Sequence, residues 1–307
     1  MKQPINTIVA VVTLLICLSS CRSSEQELNT DPLEQLQLMQ LGERQYWLAL
    51  PQHYQSDKSY KLLLAFHPSG GSGKGMQSLS HFEQGNNDYI VAYPDSEQVE
   101  WNEGCNCNIA HRLGADDLQF TSDMIVDIQQ RHTVTPGEVY AAGYSQGGLF
   151  VQNLACNLPQ QFKAVAVVAA PMSVQLASSC APPQPVSIMM VHGTADPVLP
   201  YNGMVHSNFG LISSPDAIAL LAGKNAALPY VLEKALNASV NLTSYHNGKQ
   251  KFQLFSMKDG EHNWQFSGFD TRREILNFFA TAEQAELPEH SQRVSTEQGQ
   301  FHVRAMG

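Results

Sequence analysis

The sequence predicts an α/β layer fold, a mostly parallel central sheet with helices on both faces. Three observations carry that expectation. Short runs such as Tyr60–Phe66 (YKLLLAF) and Val186–Val191 are apolar with little or no alternation, as strands buried on both faces must be. They alternate along the chain with helical patterns, such as Leu118, Met124, Ile125 and Ile128 within Asp117–His132. Hydrophobic residues make up 43% of the 307 residues and charged residues 15%, a balance that builds a core rather than a disordered chain.

The N-terminus reads as a targeting signal. Lys2 supplies a positive start, and Ile8–Leu18 is an apolar stretch too short to span a bilayer. Leu18-Ser19-Ser20-Cys21 resembles a bacterial lipobox, which implies cleavage before Cys21, a diacylglycerol on its thiol and, with Arg22 rather than Asp next, outer-membrane or cell-surface sorting. The expected organisation is a signal over 1–20, a tether over 21–33, one domain over 34–282 and a polar tail over 283–307.

Within the domain, Gln35–Gln40 and Tyr46–Leu50 alternate around Gly42 and predict a hairpin. Tyr60–Phe66 is a buried strand ending in a Gly-rich loop, His67–Gly75. Asp88–Tyr93 is a strand closed by Pro94, and Asp117–His132 a helix. Glu138–Ala142 is a strand and Gly148–Asn157 a helix. Ala164–Ala170 and Val186–Val191 are further buried strands. Ala217–Leu236 reads as helical, with breaks at Gly223 and Pro229. Val240–Tyr245 and Phe252–Met257 read as strands joined at Asn247-Gly248, and Thr271–Ala282 as a closing helix.

The formal net charge is -10, so the phosphates of a nucleic acid are not an expected partner. No apolar run of about 18 residues exists, which leaves the N-terminal lipid as the only expected membrane contact. Export implies an oxidising space, where Cys105, Cys107, Cys156 and Cys180 are disulfide candidates. Four cysteines allow three pairings. Cys156 and Cys180 flank one predicted strand and are the preferred pair, which leaves Cys105 and Cys107 to close a strained ring across one residue. Cys105, Cys107 and His111 lack a fourth zinc ligand, so no metal is expected, and no cofactor motif appears. The Gly-rich loop is not a P-loop, because Pro68 and Gly75 stand where Gly and Ser or Thr are needed.

The chemistry centres on Gly143-Tyr144-Ser145-Gln146-Gly147, a G-x-S-x-G between a strand and a helix. That context is what a nucleophile elbow requires: the glycines let strand and helix approach while Ser145 is presented at the sheet's carboxyl end. A serine hydroxyl needs a base, and the base an orienting acid. Asp196 follows the Val186–Val191 strand and His262 follows the Phe252–Met257 strand, in the chain order this fold type uses. His192, His206, His246, His290 and His302 are assigned surface or packing roles, and Asp259 and Glu261 sit beside His262 rather than across from it. The backbone N–H of Gln146 is one expected oxyanion donor and that of Ser69 the other, since Pro68 has none. Trp101, Tyr144, Tyr201 and Trp264 fall in or beside these loops and are expected to line an acyl pocket.

These segments together resemble secreted serine esterases of the polyhydroxybutyrate-depolymerase and feruloyl-esterase type. The similarity runs from about Gly42 to Ala280 and includes HPSGGSG (67–73), WNEGC (101–105), GADDLQFTSDMI (114–125), GYSQGG, HGTADPVLPYNG (192–203) and GEHNW (260–264). It implies the α/β-hydrolase fold, Ser145 as nucleophile, Asp196 as acid, His262 as base, and ester substrates of the feruloyl, acetyl-polysaccharide or polyhydroxyalkanoate kind. The chain departs from the pattern at Pro68 and Glu261, where Gly is usual, and lacks a Cys near Asn225–Ala227. Competing functions are a serine peptidase or acyltransferase on the same fold, and a surface lipoprotein that binds saccharide without catalysis.

Overall fold

A computed structural model describes residues 36–282 apart from 185, 206–208, 225–229 and 247–248. The signal, Cys21, the tether, the Asn247-Gly248 turn and the polar tail lie outside the described residues. The strands among the described residues are β1 (Leu36–Leu41), β2 (Arg44–Ala49), β3 (Tyr60–Phe66), β4 (Tyr89–Pro94), β5 (Val134–Tyr144), β6 (Ala164–Val168), β7 (Met172–Ser173), β8 (Ser187–Gly193), β9 (Met204–Val205), β10 (Gly210–Ile212), β11 (Tyr230–Asn237), β12 (Val240–His246) and β13 (Lys251–Met257). The helices are α1 (Gly73–Ser80), α2 (Ile109–Arg112), α3 (Asp117–Arg131), α4 (Gln146–Asn157), α5 (Val174–Ser179), α6 (Ser214–Lys224) and α7 (Thr271–Ala280).

Ten strands form one sheet in the order β1-β2-β4-β3-β5-β6-β8-β13-β12-β11. From β4 to β13 every neighbouring pair is parallel. Antiparallel pairs close both edges. β7, β10 and β9 make a small separate sheet. The parallel strands are apolar throughout because successive residues feed two cores. Along β3, Leu62, Leu64 and Phe66 pack with Met124 and Ile128 of α3, Leu149 of α4 and Leu221 of α6. Leu63 and Ala65 face the other side, with Met76 of α1 and Ile275, Phe278 and Phe279 of α7.

Two expectations need correction. The segment Ala217–Leu236 is not one broken helix: α6 ends at Lys224, and Tyr230–Asn237 is β11, paired antiparallel with β12. Its Glu233-Lys234-Ala235 run is exposed at the sheet edge, so no buried face imposed a strand pattern, and the partner strand overrides helix propensity. The loop His67–Gly75 becomes helical from Gly73. Ser72 caps α1 by accepting the Gly75 N–H at Oγ, 3.1 Å. Gly73 is required there because a Cβ would lie 2.2 Å from the Tyr93 carbonyl oxygen.

Candidate active site

Ser145 sits between β5 and α4 with φ 56 and ψ -121, a left-handed conformation for a non-glycine residue. The surrounding glycines make this turn possible. A Cβ on Gly143 would lie 2.1 Å from the Gly147 carbonyl oxygen, and one on Gly147 would lie 2.3 Å from that of Phe66. The Ser145 N–H donates to Val168 O across to β6, 2.8 Å. The elbow is thus clamped between the ends of β3 and β6.

Asp196 and His262 arrive on the loops after β8 and β13, adjacent parallel strands in which Gly193 pairs with Met257. The loops are joined directly. Thr194 N–H donates to Met257 O and Ala195 N–H to Gly260 O, both 2.9 Å, and Asp259 N–H donates to Thr194 Oγ1. The result is a continuous hydrogen-bonded run: His262 Nε2 lies 2.8 Å from Ser145 Oγ, and His262 Nδ1 lies 2.7 Å from Asp196 Oδ2. The Tyr144 ring covers the His262 imidazole at 5.3 Å between centroids, and its hydroxyl donates to the His262 carbonyl.

The Asp196 side chain is fully buried. Burial alone would push its carboxyl up. Hydrogen bonds from His192, His262 and the Leu199 and Val198 N–H groups outweigh this and hold it well below the usual carboxylate range. The carboxylate form is thereby favoured. The sequence gives His192 a surface or packing role, yet its Nε2 lies 3.0 Å from Asp196 Oδ2. The one signal that pointed to it was its place four residues before Asp196 at a strand end.

The loop after β3 is fixed by His67. Burial pushes this imidazole down, so it is held neutral; its Nδ1–H donates to Pro68 O and its Nε2 accepts the Ser96 N–H. Gly70 N–H is committed to Val99 O and Gly71 N–H to Pro68 O, which leaves Ser69 as the loop's candidate donor. Gln146 is anchored through its side chain: Oε1 accepts the Trp101 N–H and Nε2 donates to the Trp101 carbonyl, both 2.9 Å.

That anchoring corrects the expectation for Trp101. It has 0% exposure, donates through Nε1 to His67 O and stacks on Phe150, so it is a brace beneath the site rather than a pocket wall. Trp264 is likewise buried, packed edge-on against Phe82. Tyr144 and Tyr201 are half-buried; Tyr144 lies against His262, whereas the Tyr201 ring packs on His192 and its hydroxyl bonds with Ser256 Oγ. Cys156 is bonded to Cys180, tying α4 to the end of α5, and Cys105 is bonded to Cys107. The latter two sulfurs lie near Glu103 as a possible ligand group, but a disulfide offers no thiolate pair to a metal. Among the described residues no helix is long and apolar enough to cross a membrane.

No family model matches the chain. Feruloyl esterase B of Piromyces equi is 33% identical over 168 residues, 52% of this chain and 30% of that protein. Probable feruloyl esterase C of Aspergillus clavatus is 29% identical over 178 residues, covering 55% and 60%. The Aspergillus niger counterpart is 27% identical over 236 residues, covering 73% and 78%. The chain thus spans less than two thirds of the first two relatives. Among solved structures, an acetyl xylan esterase from Aspergillus awamori aligns with a TM-score of 0.57 at 14% identity, over 80% of this chain and 99% of that one. The esterase PE8 aligns at 0.52 and 15%, over 76% and 97%. The chain has the α/β-hydrolase fold and is similar in sequence to feruloyl esterases.

Proposed function

We propose that the protein is a serine esterase acting by two-step acyl transfer at Ser145. The hydrogen-bonded run Ser145–His262–Asp196, assembled from three strand-end loops, carries the reading. His262 Nε2 takes the hydroxyl proton as Ser145 Oγ attacks the ester carbonyl. Asp196 holds Nδ1–H and stabilises the imidazolium. The N–H groups of Gln146 and Ser69 receive the oxyanion. His262 then protonates the leaving alcohol, and water, activated by the same imidazole, releases the acid. The base must be neutral, so activity falls as the solution is made acidic.

The substrates we favour are feruloyl or acetyl esters on polysaccharide, with polyhydroxyalkanoate-type esters the runner-up. The feruloyl esterase relatives support the first. Half-buried Tyr144, whose ring lies against His262, supports an aromatic contact for an acyl group there. We further propose that the chain is exported and anchored through Cys21, a reading supported by the lipobox-like segment and by two disulfides. Ser145→Ala must abolish hydrolysis of p-nitrophenyl acetate, and a panel of methyl ferulate, acetylated xylan and hydroxybutyrate oligomers ranks the substrates. Hydrolysis retained by Ser145→Ala refutes the mechanism. A Cys21→Ser chain that still fractionates with membranes refutes the anchor.

A further inference from the structure

We propose that His192 is a positioning residue, holding the Asp196 carboxylate in the orientation that serves His262. The inference rests on the triad reading above. His192 has 0% exposure and lies in β8, four residues before Asp196. Its Nε2 is 3.0 Å from Asp196 Oδ2 and 3.0 Å from Leu199 O. Both are acceptors, so Nε2 carries the proton and donates to them. Nδ1 lies 2.6 Å from Ser214 Oγ, so both ring nitrogens are engaged. Ser214 opens α6, is itself buried, and donates its N–H to Tyr201 O. The Tyr201 ring closes over the imidazole edge-on at 5.6 Å. A sealed imidazole of this kind meets no substrate and acts only through Asp196.

Asp196 Oδ2 is therefore shared between His262 Nδ1 at 2.7 Å and His192 Nε2 at 3.0 Å, while Oδ1 takes the N–H groups of Val198 and Leu199. Four donors prevent the carboxylate from turning about its last bond. The His192 N–H also draws on the negative charge that steadies the His262 imidazolium. Removing it loosens the geometry, which lowers kcat, and leaves a fuller charge facing His262, which favours its protonated form. The titratable groups around that ring are Asp196 and His192 from the β8 side, Tyr144 from β5, and Asp259 and Glu261 on its own loop. Only the first changes its bonding when His192 is replaced.

The test compares His192→Phe and His192→Gln in p-nitrophenyl acetate hydrolysis across pH, with thermal melts. The expected result for His192→Phe is a kcat about 10- to 100-fold lower at little-changed KM, with the acid limb of kcat/KM moved to higher pH. His192→Gln, whose amide N–H reaches about as far as Nε2, restores most of kcat and the wild-type limb. Wild-type kcat and limb in His192→Phe overturn the proposal, as does a Gln variant as impaired as Phe, which would mean packing alone. If His192→Phe does not fold, Ser214→Ala decides: a several-fold loss of kcat with the same limb movement supports the proposal, and wild-type kinetics overturn it. Ser145→Ala separates the two levels. Activity in that variant sinks the triad reading itself, whereas an inactive Ser145→Ala beside a normal His192→Phe sinks only the positioning role.

Discussion

Gly193→Ala tests the geometry of the proposed site without touching a reacting group. Gly193 ends β8, three residues before Asp196. A Cβ there would lie 2.2 Å from Gly260 O, 2.4 Å from Gly260 C and 2.5 Å from Glu261 O. These are backbone atoms of the loop that carries His262, so no side chain can swing aside. Ordinary contact at about 3.5 Å requires the two loops to part by roughly 1 Å. The His262–Asp196 and His262–Ser145 bonds of 2.7 and 2.8 Å would then stretch past hydrogen-bond reach. Misplacement by about 1 Å costs on the order of 100-fold, or about 2.7 kcal/mol of barrier. Steady-state hydrolysis of p-nitrophenyl acetate, with a melt to confirm folding, reads this as a fall in kcat. Gly75→Ala is the control: its Cβ would meet nothing nearer than Ser72 Oγ at 3.4 Å, so kcat stays unchanged and stability rises by up to about 1 kcal/mol. A folded Gly193→Ala enzyme with kcat within about threefold of wild type would refute the claim that loop contact sets the catalytic geometry.

Three further outcomes follow from the same structure. Glu103 is buried, and burial pushes its carboxyl from 4.5 up to about 7; because the folded value is raised, the stability it lends below about 4.5 is lost as pH rises through 7, and Glu103→Gln removes that slope. Melts should show the variant gaining roughly 1–3 kcal/mol on wild type between pH 5 and pH 8, and an equal difference at both pH values contradicts the assignment. Replacing Cys156 and Cys180 by Ala opens a bridge of sequence separation 24 and should cost about 3 kcal/mol in denaturant unfolding, with unaltered kcat in the folded fraction. Gln146→Ala breaks both bonds to Trp101 and should lower kcat about tenfold at similar KM; unchanged kcat would mean that the α4 N-terminus holds the donor without that anchor.

The convergence of Ser145, Asp196 and His262 was legible because each follows an apolar strand of a parallel sheet, whose carboxyl ends all lie on one side. His192 was not. It lies inside the β8 run, where a histidine resembles any polar interruption, and its contact with Asp196 follows from the turn at 194–196 rather than from local pattern. Trp101 and Trp264 were misread for a related reason: proximity to a loop says nothing about which side of the backbone a ring occupies. α1 was hidden by its own composition, since Gly73 and Gly75 read as loop while Gly73 is there to admit the Tyr93 carbonyl. β11 was hidden by exposure, because an edge strand with solvent on its side chains needs no apolar alternation.

The order of the strands in the sheet differs from their order in the chain, and this bears on when the proposed site is first complete. Ser145 and His262 stand 117 positions apart, and β13, the last strand in chain order among the described residues, is inserted beside β8 in the interior rather than added at a free border. A ribosome-bound fragment lacking β13 also lacks His262, the base of the proposed mechanism. On the proposed mechanism, turnover waits until β13 is seated, and p-nitrophenyl acetate hydrolysis would then report completed folding.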